Sequence, residues 1–225
     1  MVKRLIAMLL TVLMLLSAGH AEEFDVLRSL GIEISQDDQV HVQAELDEIN
    51  RWLGEAVDEY NRYETIIGIL GYGGYDETTY QYISYSDDVY AFDAEAWDII
   101  TAYQVLLEAV ERMSDGAVCI DNIRTSMTEK LFDAGVGKLL IQFSVNGEEC
   151  RFIAEFYYDW MDCGIIDYLN NCLEEQGHQH RIWSLYDGGQ GLILMCKTKE
   201  WMQRFENKTG VHMWIDTNAA FESIW

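Results

Sequence analysis

KLLIQFSVNGEECRFIAEFY, residues 138–157, is two alternating stretches joined by Asn146-Gly147. Asn followed by Gly suits a two-residue type I′ turn, because both central residues of that turn need a positive φ. The turn then sets the register. Phe143 falls opposite Cys150, Ile141 opposite Phe152 and Leu139 opposite Ala154, all on one apolar face. The other face pairs Gln142 with Arg151 and Lys138 with Glu155, an opposite-charge pair across the strands. Turn chemistry and burial pattern agree on one register, so an antiparallel hairpin with one buried face is predicted.

Working downstream, Asp159 is placed to cap a helix over 160–176 that Gly177 stops, with Met161, Ile165, Leu169, Cys172 and Leu173 facing inward. A second hairpin is read over 180–197, turning in Asp187-Gly188-Gly189-Gln190-Gly191. A second helix follows over 199–209, between Thr198 and Gly210, and Val211 to Ile215 reads as a last strand. A shift of 41 residues lays Asn146-Gly147 on Asp187-Gly188 and Trp160-Met161 on Trp201-Met202, the pattern of a ββα duplication. Upstream, Ala117 to Arg124 is a further strand.

The N-terminal half has a different period. After a capping Ser35 with Asp37 and Asp38 in the first turn, apolar positions run Val42, Leu46, Ile49, Leu53, Ala56, Tyr60, Tyr63, Ile67 and Leu70. Steps of four and three predict a helix near 36–70 with an apolar seam. Its expected partner is a helix over 93–114, capped by Asp93 and ended by Gly116. The fold class that follows is α+β: an N-terminal antiparallel helical hairpin packed with an antiparallel sheet built from two ββα units. The units divide as 22–116 and 117–225 and share one core.

Residues 1–21 read as an export signal. Lys3 and Arg4 precede an unbroken apolar run from Leu5 to Leu16, with Gly19 and Ala21 at the −3 and −1 positions. Removing them leaves 13 Lys+Arg against 39 Asp+Glu, a net charge of −26. The expected location is secreted or extracytoplasmic, with no lipid-accepting Cys after the cleavage site and no membrane insertion once the signal is cut. Such a charge repels nucleic acid and anionic lipid and favours a cationic protein or an extracellular or envelope component. The acidity is concentrated in 22–116, which holds 23 acids and 4 bases.

For chemistry the chain offers little. Five cysteines, Cys119, Cys150, Cys163, Cys172 and Cys196, have no metal-site or disulfide-scaffold spacing. His178 and His180 lack further ligands at metal-binding spacing, so no metal and no cofactor is expected. No catalytic motif is present and no catalytic residue is assigned.

The candidate binding segment is 71–92, where six tyrosines fall within 19 residues. Tyr72, Tyr75, Tyr80, Tyr82 and Tyr85 offer apolar faces with a hydroxyl tip and little rotamer entropy to lose. The reading is an exported, non-enzymatic binding or interaction module, inhibitor- or immunity-like in its acidity. The alternative is an exported hydrolase with acid and base carboxylates at the junction of helices and sheet.

Overall fold

In a computed structural model of the chain the structure describes residues 22–53, 62–76, 81–96 and 98–223. Residues 1–21, expected from sequence to be an export signal, lie outside these residues. The class is α+β, with eight helices and two three-stranded antiparallel sheets among the described residues.

The 138–157 hairpin forms as read. Strands β5 (Val136–Val145) and β6 (Glu148–Tyr157) pair Phe143 with Cys150, Ile141 with Phe152, Leu139 with Ala154 and Lys138 with Glu155. Asn146 and Gly147 sit at φ 51° and 84°, as the turn demands. The Lys138 ammonium lies 2.8 Å from Glu155. Strand β4 (Ile120–Thr125), followed by the short helix α5 (Glu129–Ala134), joins the β5 edge to complete the sheet β4-β5-β6.

The second hairpin, β7 (His180–Tyr186) and β8 (Gly191–Thr198), does not extend that sheet. It builds a separate one, ordered β3-β8-β7, with β3 (Tyr90–Asp93) on the other edge of β8. Both hairpins lead into a helix, so the two ββα units are present. The helix follows β8 directly as α7 (Lys199–Thr209), whereas α6 (Gly164–Glu175) begins only after a connection from Tyr157. The third strand also joins the first strand of one hairpin and the second strand of the other.

Sheet β3-β8-β7 is covered on both faces and divides the interior in two. Ile182, Leu192, Leu194 and Cys196 face one core with sheet β4-β5-β6, α4 (Ile99–Met113) and α6. Trp183, Leu185, Ile193 and Met195 face the other, against α1 (22–29), α2 (Gln36–Leu53), α3 (Arg62–Tyr72) and α7. Seven consecutive residues of β8, Gly191 to Lys197, are buried, the pattern of a strand with no solvent face.

The expected pairing of the 36–70 stripe with 93–114 is therefore corrected. Val42, Leu46, Ile67 and Leu70 do turn inward, but against Phe24 and Leu27 of α1 and the near face of the dividing sheet. Helix α4 lies on the far face. Residues 54–61 lie outside the described residues, as do Ala56 and Tyr60 of the stripe. Asp93 does not cap α4, because 90–93 are held in the sheet with Asp93 opposite Gly191. Asp98 caps it instead, accepting from the N–H of Ile100 and Thr101. Asp159 likewise does not cap α6. Its carbonyl accepts from Ala96 N–H and Met161 N–H donates to Ala94, so 159–161 run alongside 94–96 before the helix begins. The last strand expected at 211–215 is one bridge, Trp214 to Ser184, followed by a short helix α8 (Thr217–Glu222).

Candidate functional site

The tyrosine-rich segment folds into a small hairpin, β1 (Gly74–Asp76) with β2 (Gln81–Ile83), set over the end of α3. Its glycines permit close approach rather than adaptability. A Cβ on Gly73 would lie 1.7 Å from the carbonyl oxygen of Ile83, and φ there is +64°. A Cβ on Gly71 would lie 2.8 Å from Ala91 N, so α3 can meet β3 only through a glycine.

This packing opens a cleft of about 770 Å³ between α3, the β1-β2 hairpin, β3 and the first turns of α4. Such a volume lies in the range of ligand sites. The structure brings Tyr72, Tyr75 and Tyr85 to it, three of the five tyrosines expected from sequence. Tyr80 lies outside the described residues, and the side chain of Tyr82 is not described. Sequence reasoning missed Glu45, Tyr90, Phe92, Asp93, Asp98 and Met161, which also line the cleft. Tyr90 belonged to the same tyrosine cluster. The others come from separate elements, and only the tertiary fold joins them.

The three tyrosines differ in role. Tyr75 stands on the rim, 52% exposed. Tyr85 stacks on His41 with ring centroids 5.5 Å apart and donates its hydroxyl to Glu45 Oε1 at 3.4 Å. Tyr72 is half-buried and donates to Asp187 Oδ2 in the β7-β8 turn. Burial, with the Asp187 carboxylate beside it, pushes the Tyr72 phenol well above its usual range. Tyr90 stacks on Phe92, and burial raises it to about 12.

Besides these phenols, every ionisable side chain among the described lining residues is a carboxylate: Glu45, Asp93 and Asp98. They are held differently. Burial raises Glu45, against opposing effects from the Tyr85 hydroxyl and His41. Hydrogen bonds from the Thr101 hydroxyl and the α4 N–H groups hold Asp98 below its usual range. Asp93 accepts from Glu95 N–H at 2.9 Å.

Elsewhere the chemistry is structural. All five cysteines are free thiols, with Cys150 Sγ 3.6 Å from Cys172 Sγ. Burial, then Asp162 and Asp167, pushes Cys163 up to about 12, far from a reactive thiolate. His178 and His180 lie with ring centroids 5.2 Å apart, and His178 Nε2 is 2.9 Å from the Ala117 carbonyl oxygen. Among the described residues no group of His, Cys, Asp and Glu is arranged to hold a metal ion. No described helix is long and apolar enough to cross a membrane. The chain matches no protein-family model, no curated protein and no solved structure.

Proposed function

We propose that the chain is an exported, non-enzymatic binding protein, delivered by residues 1–21, and that the tyrosine-walled cleft is its binding site. One observation carries this reading: the cleft gathers Tyr72, Tyr75, Tyr85 and Tyr90 from four separate stations of the 71–92 segment into one concave surface. The rim position of Tyr75 puts one ring where a ligand can reach it. The test is retention of an envelope or extracellular component on the immobilised secreted protein at low salt, repeated with Tyr75→Ala. Retention lost in the variant, with its near-ultraviolet circular dichroism unchanged, is the expected result. Equal retention by both forms would refute the site.

A second reading is favoured by the two carboxylates. Glu45, raised by burial, lines the same cleft as Asp98, which caps α4, and two carboxylates in one cleft are what acid and base catalysis needs. A hydrolase built on them would turn over an extracellular polymer and lose that turnover in Glu45→Gln while still binding it. A binding protein shows no turnover in either form.

A further inference from the structure

We propose that the cleft, taken as the binding site above, receives an extended segment of a partner polypeptide bearing lysine or arginine. The cleft does not stop at α4. A second concavity of about 490 Å³ shares Ala96 and Asp98 with it and continues across the helix N-terminus to Phe132, Phe156, Tyr158 and Asp159. The two lobes are adjacent, meeting at Ala96 and Asp98 with Trp97 outside the described residues, and together they offer more than one small-ligand pocket. Phe132 and Tyr158 are 72% and 59% exposed, so the second lobe is open to an incoming chain.

Both lobes have the same chemistry. Aromatic faces carry negative quadrupoles that attract ammonium and guanidinium groups. The acids are Glu45 and Asp93 in the first lobe, Asp159 in the second, and Asp98 at the join. No Lys, Arg or His occurs among the described residues lining either lobe. The lining carboxylates favour a cation over an anion, against the smaller opposing effects of His41 stacked on Tyr85 and of the α4 N-terminus that Asp98 caps. A lysine side chain fits on both counts, with its methylene stem along a tyrosine face and its head near a carboxylate. The long-range field agrees, since the net charge of −26 on the chain without residues 1–21 steers a basic segment inward.

The test is fluorescence anisotropy of a labelled hexalysine peptide on the full secreted protein at physiological salt. Controls are a neutral Gly-Ser peptide of equal length and butylammonium as competitor. Net charge alone could hold hexalysine, so the comparison is between two variants of equal charge. Glu45→Gln alters the cleft, while Glu108→Gln alters a carboxylate on α4 that lines neither lobe. Glu45→Gln and Tyr75→Ala are each expected to weaken binding about tenfold, with Glu108→Gln changing it less than about twofold.

Equal losses in the two charge variants would overturn the proposal, because capture would then be a bulk-charge effect. Butylammonium binding as tightly as hexalysine would overturn it in favour of a small amine. A neutral peptide that binds equally well, and loses binding in Tyr75→Ala, would overturn the cationic ligand while leaving the binding site standing. Absence of binding by every probe, with Tyr75→Ala and the parent also equal in envelope retention, would remove both.

Discussion

Lys197 Nζ lies 2.5 Å from Asp88 Oδ1, and both side chains are almost wholly out of water. The pair joins the dividing sheet to the segment that carries the cleft. Lys197 is on β8, and Asp88 lies two residues before β3. Asp88 Oδ2 also accepts from Glu33 N–H at 2.8 Å, which ties in the loop between α1 and α2. Removing Asp88 leaves the buried Lys197 ammonium with only the exposed Asp115 carboxylate, 3.6 Å away, to offset its charge. Asp88→Ala is therefore expected to cost about 3–5 kcal/mol. Urea unfolding followed by circular dichroism measures this, and a loss below about 1 kcal/mol would refute the role given to the pair.

A second prediction concerns alkaline pH. Burial raises the Cys163 and Cys196 thiols from 9.0 to about 12, and the Tyr90 phenol from 10.0 to about 12. Between these limits the folded chain keeps protons that the unfolded chain has released. Stability from these groups is thus complete below pH 9 and declines as pH rises toward 12. The urea midpoint is expected to hold to about pH 9 and then fall, with Cys163→Ala reducing the slope. A midpoint that stayed level across this window would contradict the burial of these groups.

How far the sequence spoke for the fold depends on where each element found its partners. The 138–157 hairpin was legible because turn, register and burial are all written within twenty residues. Helix α7 was legible for the same reason, with Thr198 accepting from Trp201 N–H and Gly210 in the left-handed region. The placement of α4 was not legible. Its apolar stripe says that it is covered, and nothing local says by which side of which sheet. Strand β3 was missed because it is four residues long and its partner β8 lies a hundred residues away. The same distance explains the site. The tyrosines were visible as a cluster, but Glu45 and Asp98 join them only after α2 and α4 are packed.

Gly73 gives a third prediction. Gly73→Ala forces a left-handed residue with a side chain, at a cost of about 1–3 kcal/mol, and drives a Cβ into the backbone of Ile83 and Ser84. The β1-β2 hairpin must shift, and the cleft loses one wall. Amide exchange across 71–76 and 81–85 should rise while exchange in β5 and β6 stays at the parent rate. Unaltered exchange throughout would show that the close approach is dispensable.

Tyr72 and Tyr75 separate structure from binding within a single cleft. Tyr72 braces the end of α3 against the β7-β8 turn, where Asp187 Oδ1 also accepts from Gly189 N–H at 2.8 Å and Gly191 N–H at 3.1 Å. Tyr72→Phe removes a hydrogen bond to a carboxylate and is expected to cost about 1.5–3 kcal/mol. Tyr75 is on the rim, so Tyr75→Ala should cost about 1 kcal/mol or less. Their effects on hexalysine binding should run in the opposite order. Tyr72→Phe keeps the ring that lines the cleft and should weaken binding about twofold, whereas Tyr75→Ala removes a ring and should weaken it about tenfold. Measuring denaturant midpoints and anisotropy titrations on both variants tests the division. Parallel losses in stability and affinity across the two would mean that both tyrosines serve only to hold the layers together.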